Sequence, residues 1–348
     1  MKRVILWCLL MGFYYDSNSK DSFALKAPPG YYKKIIDAHA HLACVNYEGC
    51  YLAPKYRDSY KFKLSMKAVE ITEDDLNQPD ADQMMVDNLL RRLKESEFYS
   101  GAIVYALDGF YDENKKLDLE KTDLLIPNDY VAMVAKNNPN LYFGASINPN
   151  RNDALEVLKK AKEDGAKLVK WIPCTMGINL KNPNRDTLDF LKKMKEYDLP
   201  LVTHVGFERT FSWSDDELCN PKYIENILKM GVRVVAAHAG ISGDYDNEKA
   251  FKRLFELSEK YKNLYVDNSA GLFFVRFGIY KEVFSEHFNG KIIQGTDYPL
   301  NYVSFWGFQS LYLWQFKSDM TPFWYEYAKR TKNIHDLEAA IKFGMGST

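Results

Sequence analysis

Apolar residues follow two alternating rhythms along this chain. Short runs rich in β-branched and aromatic side chains recur, and between them lie longer stretches whose apolar positions return every three or four residues. The short runs are KIIDAH from Lys34, GAIVYAL from Gly101, LYFGASI from Leu141, AKLVKWI from Ala166, PLVTH from Pro200, VRVVAAH from Val232, NLYVDNS from Asn263 and KIIQGTD from Lys291. The segments between them, such as Asp153 to Glu163 and Asp186 to Tyr197, keep lysines and acids on one face and apolar residues on the other, as helices that bury one stripe do. KEDGAK, LKMGVR and KNNPNLYF supply the glycine or Asn-Pro that ends a helix before the next strand. Eight strand–helix units in succession predict an α/β fold closed as a (β/α)8 barrel, since an open doubly wound sheet more often stops at about five or six strands.

The 348 residues exceed the roughly 250 of a minimal barrel, so additions to one domain are expected. One is the first βα loop, Leu42 to Asp80, rich in Tyr, Lys, Pro and Asp; a loop of that length usually covers an active site. Another follows Pro299, where YVSFWGFQSLYLWQF precedes a final helix; these aromatics read as core closing the barrel bottom. The barrel domain therefore takes residues 34–348. Residues 1–33 form an N-terminal extension that opens with two basic residues and about ten apolar ones, the pattern of a secretory signal, with a small-residue site at Ser22-x-Ala24. That site lies beyond the polar DSNSKDS, so a cytoplasmic location is expected and export is the alternative. The apolar run is shorter than the about 20 residues a membrane span needs.

Charge narrows the partners. With a formal net charge of −1 the chain has no broad field to hold nucleic acid or an anionic membrane, which leaves a small molecule as partner, with a homo-oligomer compatible. Five cysteines (Cys8, Cys44, Cys50, Cys174, Cys219), odd in number and without C-x-x-C spacing, argue against both a disulfide framework and a cysteine-rich zinc site. Reduced thiols are the simpler expectation.

Histidine is scarce, six in all, yet four stand at strand ends. His39 and His41 share a face of the first strand with Asp37, because side chains alternate along a strand. His204 ends the fifth strand, His238 the sixth, and Asp297 the eighth. Barrel enzymes keep their chemistry at the C-terminal rim of the strands. A single histidine at a strand end is readily explained by a backbone partner; four with a carboxylate on one rim are not. Neutral imidazoles and one carboxylate are ligands for a borderline divalent ion such as Zn2+.

From about Lys34 to about Trp306, this constellation resembles the amidohydrolase superfamily, and within it the amidohydrolase-related branch of metal-dependent barrels that includes decarboxylases and lactone hydrolases. The H-x-H of His39 and His41, then His204, His238 and Asp297 carry the resemblance, with QGTDYPL similar to that branch's GSDYP and VKWIPCTMGI similar to the KWLPSAMGI of a bacterial subgroup. The resemblance implies one metal, Zn2+ or alternatively Mn2+, on His39, His41, His204 and Asp297. His238 is implied as a nearby acid/base group, and Asp297 as a proton shuttle. Binuclear members bridge two metals with a carboxylated lysine or a glutamate after the fourth strand; Lys170 lies there, and reads rather as a cation facing an anionic substrate.

Glu208 and Arg209, in the loop beyond His204, are further substrate-contact candidates, balanced against a surface ion pair. Lys55 and Arg57 of the first loop are expected to join Lys170 and Arg209 around an anion. Asp267 and Asn268 after the seventh strand are candidates to orient a metal-bound histidine, or simply to cap the strand. His287 and His335, in lysine-bearing helical stretches, read as surface residues. The expected function is hydrolysis of a small carboxylate-bearing ester, lactone or amide by a metal-activated water. Non-oxidative decarboxylation on the same scaffold is the alternative, and a catalytically silent barrel the remote one.

Overall fold

The computed structural model describes residues 26, 28, 30–272, 280, 282–284, 288, 290–301 and 309–346. The signal-like start, His287 and positions 302–308 of the aromatic cluster lie outside them. Eight parallel strands stand where the apolar runs predict them: β1 (Ile35–His41), β2 (Tyr99–Tyr105), β3 (Leu141–Ser146), β4 (Val169–Trp171), β5 (Leu201–His204), β6 (Val234–Ala237), β7 (Leu264–Asp267) and β8 (Ile292–Ile293). They pair in chain order. The chain after β8 returns to β1 through Ala38 N to Gln294 O (2.9 Å), Asp297 N to His39 O (2.7 Å) and His41 N to Tyr298 O (2.7 Å), which draws the sheet shut.

The interior of the barrel changes character along the strands. Its floor is apolar, with Leu168, Val202 and Val235 packed against Ile103, Tyr265 and Ile293. Two residues further along the same inward rows stand Lys170, His204, Asp267 and, one more step beyond Ile293, Asp297, all buried. The period-2 alternation of strand side chains thus sets a polar layer on a dry floor. Outside the barrel, the helix Ala154–Glu163 buries Ala154, Leu158 and Ala161, one stripe at helical spacing. The helix Arg185–Glu196 buries Phe190, Leu191 and Met194 and starts at Asn184, whose side chain accepts the Thr187 N–H at 2.8 Å. Each such large apolar side chain contributes about 1.5–3 kcal/mol.

The first loop folds into the short helices Pro54–Arg57, Tyr60–Ala68 and Glu73–Leu76. It lies against the loop after β5: Lys61 Nζ donates to the Arg209 carbonyl, and the Tyr56 and Phe211 rings stand 5.6 Å apart. Covering that loop places it over the barrel mouth, as its length predicts.

Three expectations are corrected. His335 is not on the surface: the last helix, Ile334–Gly344, is buried from His335 onward, and His335 packs against Tyr99 and Tyr298, 3.8 Å from Asp37 Oδ2. Charges on that helix are paired internally rather than solvated, which a charge pattern alone does not reveal. The cysteines are not all free: Cys44–Cys50 and Cys174–Cys219 are disulfides with Cα separations of 5.9 and 5.3 Å. A turn closes the first pair, Cys50 N to Tyr47 O at 3.0 Å, and two successive barrel loops meet at the second, so neither follows a spacing motif. The pairing removes the argument for a reducing compartment that rested on free thiols. In the described part of the C-terminal aromatic cluster, Phe316 packs in the core with Leu313, whereas Trp314 is 70% exposed. Among the described residues no helix is long and apolar enough to cross a membrane.

Lys342, fully buried, holds this last helix to the barrel. Its ammonium lies 2.6 Å from Glu338 and donates to Gly295 O (2.7 Å) and Asn268 Oδ1 (3.1 Å), while Asn301 donates to Glu338 at 2.9 Å. Lys342→Ala is expected to lower stability by about 3–5 kcal/mol, since it strands a buried carboxylate. Denaturant unfolding checks this, and the Lys342→Met, Glu338→Gln double variant should recover much of the loss.

Candidate metal centre

Backbone pairing across the closing seam assembles the centre. Asp37, at the foot of β1, accepts the Thr296 N–H (2.9 Å) and hydroxyl (2.5 Å) and the His39 N–H (3.1 Å), so the H-x-H strand is pinned to the turn that carries Asp297. His39 Nε2 and His41 Nε2 then lie 3.4 and 3.3 Å from one oxygen, Asp297 Oδ1. Ligands about 2.0–2.1 Å from a tetrahedral ion stand roughly 3.3 Å apart, so these three atoms are spaced as donors to a shared ion. The donor set of the implied metal therefore fits.

A second layer fixes the imidazoles. Asp267 Oδ2 accepts a hydrogen bond from His39 Nδ1 at 2.8 Å, which leaves the lone pair on Nε2, the nitrogen nearest Lys170 and Asp297. Asp267 Oδ1 accepts the His238 N–H at 2.8 Å and the Ser269 N–H at 3.1 Å. The Ser269 hydroxyl lies 2.8 Å from His238 Nδ1 and 3.1 Å from His39 Nδ1, joining the two rings, whose centroids are 5.0 Å apart. His238 and Asp297 both carry left-handed backbones, φ 60° and 64°. Such strain in non-glycine residues persists only where surrounding bonds impose it, and it gathers at functional sites.

Electrostatics suit cation binding. Burial pulls His39 down to about 4, with Lys170 adding to the effect against Asp267 and Asp297. Burial likewise holds His238 well below its ordinary value. Burial works against ionising Asp297, yet the surrounding imidazoles keep its carboxyl well below the usual range. Neutral ring nitrogens beside an ionised carboxylate are a ready ligand set. Lys170 Nζ stands 3.1 Å from His39 Nε2, and burial lowers it to about 8 against the pull of Asp267, Asp297 and Glu208.

The expected residues are not all brought to one point. His39, His41 and Asp297 converge, and His39, His238 and Asp267 form an overlapping group. His204 faces His238 at 5.0 Å between rings, and it also lies beside the Cys174–Cys219 disulfide and Glu208, whose Oε2 is 3.7 Å from His204 Nδ1. Glu208 is buried beside the centre, whereas Arg209 is 62% exposed and paired with Asp216 at 2.7 Å. Lys55 turns to Asp123 (3.7 Å) and Arg57 to Glu73 (3.2 Å), so the expected ring of cations at the mouth reduces to Lys170. Asn268 accepts from the Gly295 N–H after β8 and from Lys342. Ser269 escaped the sequence reading; its shared parity with Asp267 in VDNSA is the signal that points to it. A cavity of about 380 Å³, lined by Arg91, Arg92, Glu97 and Asp336 among others, opens beside the start of β2, and none of His39, His41, His204, His238 and Asp297 lines it.

Asp267→Ala is expected to weaken metal binding about 10- to 100-fold, the usual effect of removing a group that orients a ligating histidine. Competition against a chelating dye measures it.

The likenesses agree with the barrel fold. Among solved structures, an uncharacterised TIM-barrel protein from Bordetella bronchiseptica is 15% identical with a TM-score of 0.57, over 88% of this chain and 99% of that one. A putative 2-pyrone-4,6-dicarboxylic acid hydrolase from Pseudomonas putida is 14% identical with a TM-score of 0.50, over 89% and 97%. At these identities they show the barrel and nothing of the substrate. No curated protein matches the chain. The sequence model of the Amidohydrolase family matches residues 36–319, from the strand that bears His39 and His41 to beyond Asp297, and on that match this chain belongs to the amidohydrolase family.

Proposed function

We propose that the protein is a metal-dependent hydrolase of a small carboxylate-bearing ester, lactone or amide. The observation that carries this reading is the convergence of His39 Nε2 and His41 Nε2 on Asp297 Oδ1 at 3.4 and 3.3 Å, in a polar layer above a dry barrel floor. His39, His41 and Asp297 would hold a divalent ion, Zn2+ in preference to Mn2+ for this N/O donor set, which would supply Lewis acidity and activate water at neutral pH. Asp297 has a second oxygen to receive the proton that hydrolysis releases. His238, neutral and oriented by Ser269, faces the same space and delivers or accepts a proton at the reacting group. Lys170, buried within the layer, takes the substrate carboxylate in a charge-assisted hydrogen bond that a neutral analogue cannot make. The first loop excludes bulk water.

The test is a panel of carboxylate-bearing lactones, esters and amides alongside aromatic carboxylic acids, assayed in 18O-labelled water for ring opening and for CO2. Incorporation of one labelled oxygen with no CO2 is expected. CO2 release without labelled product would replace the hydrolase reading by a decarboxylase. Equal rates on neutral analogues, unchanged by Lys170→Met, would remove the anion preference.

A further inference from the structure

We propose that Tyr105 is a positioning residue of the metal centre: from β2 its hydroxyl fixes the bulge of β1 that aims His39 at Asp297. The inference rests on the metal reading above. β1 and β2 do not pair one to one, because Asp37 stands opposite Ala102 and Ala40 opposite Val104. Two residues, Ala38 and His39, thus span the place of one, Ile103. Such a bulge bends its strand and re-aims a side chain, here the first of the candidate ligands.

Three bonds pin the bulge. Across the closing seam the Ala38 N–H donates to the Gln294 carbonyl at 2.9 Å, and the His39 carbonyl accepts the Asp297 N–H at 2.7 Å. From β2, the Tyr105 hydroxyl donates to the Ala38 carbonyl. That carbonyl belongs to the peptide that enters His39, so the bond sets the plane from which the imidazole projects. Ligand geometry tolerates errors of only about 0.5 Å, and a peptide free to turn would exceed that.

The ring is held where the hydroxyl can do this. Tyr105 is fully buried and packs in one cluster with the floor residues Leu168, Val202 and Val235. Its centroid is also 4.9 Å from the His39 ring and 5.5 Å from the His41 ring, which it meets edge-on at 87°. Lys170 Nζ stands 5.5 Å from the same centroid, within cation–π reach, and 3.1 Å from His39 Nε2. One phenol therefore touches the floor, both histidines of the H-x-H strand and the buried lysine. β3 makes the room: Gly144 pairs with Tyr105, and a Cβ there would meet Tyr105 Cδ1 at 2.5 Å. The glycine marks a close approach, as one inside a strand often does.

Tyr105→Phe keeps the ring and deletes only the donor. Co2+ is the probe, because its visible absorption reports the geometry of its ligands. Full-length wild-type and variant proteins are titrated with Co2+ against a chelating dye, and their spectra are compared at saturation. Tyr105→Phe is expected to bind about 10- to 100-fold more weakly, the usual effect of removing a group that orients a ligand, and to show a shifted visible spectrum. Tyr99→Phe, the same deletion at another fully buried tyrosine of β2, should match wild type in both. Wild-type affinity and spectrum in Tyr105→Phe, or an equal loss in Tyr99→Phe, overturns this inference and leaves the metal reading standing. Wild-type protein that takes up no Co2+ overturns both. Should Tyr105→Phe fail to fold, crystals of zinc-loaded wild-type protein decide: the Tyr105 hydroxyl is expected within about 3 Å of the Ala38 carbonyl oxygen, and a hydroxyl turned to another partner overturns the inference.

Discussion

His41→Ala protein is expected to fold normally, lose its divalent ion and fall in kcat by about 10³-fold or more. The side chain of His41 is 19% exposed at the rim, so removing it opens little core. Its Nε2, 3.3 Å from Asp297 Oδ1, is nevertheless one of three donor atoms that lie within 4.8 Å of one another, and its loss leaves only His39 and Asp297 of that set. The rate follows from the size of a Lewis-acid contribution, several kcal/mol at about 1.4 kcal/mol for each tenfold. Metal content of purified, reconstituted variant and parent, with circular dichroism as control, reads the effect. A variant that retains about one ion per chain would remove His41 from the ligand set.

His238→Ala should separate chemistry from binding. Its Nδ1 is occupied by the Ser269 hydroxyl at 2.8 Å and its ring stacks on His39, whereas the donors spaced around Asp297 Oδ1 are His39 and His41. The variant is expected to keep its ion and its KM within a few-fold while kcat falls by roughly 10²–10⁴, the usual contribution of one general acid/base. Loss of the ion along with activity would place His238 among the ligands. Burial keeps His238 neutral, so the parent enzyme should not lose activity through protonation of this ring near pH 6.5.

The barrel was legible because each strand is buried on both faces by its own apolar run, and each helix by its own stripe; both periods are local and survive without tertiary knowledge. The rim was legible for a related reason: parity puts His39, His41, Lys170, His204 and Asp297 on inward rows one or two steps past the apolar floor. What stayed hidden depends on which loops meet. Cys174 and Cys219 are 45 residues apart and join only because the loops after β4 and β5 are neighbours in a closed barrel. His335, Glu338 and Lys342 look like an exposed charged face, and become interior when Asp37, Asn301, Asn268 and Gly295 supply partners from segments 37 or more residues away in sequence. Arg209, Lys55 and Arg57 had the right charge near the right loop, but Asp216, Asp123 and Glu73 already pair with them at 2.7, 3.7 and 3.2 Å. Composition cannot rank such competitors; distance does.

The central claim is that His39, His41 and Asp297 hold one divalent ion at the mouth of the barrel. Anomalous diffraction at the zinc edge from crystals of zinc-reconstituted protein tests it directly. A single strong peak about 2.0–2.2 Å from His39 Nε2, His41 Nε2 and an Asp297 carboxylate oxygen is the predicted result. A map without density there, in crystals whose fluorescence shows that they contain zinc, would contradict it.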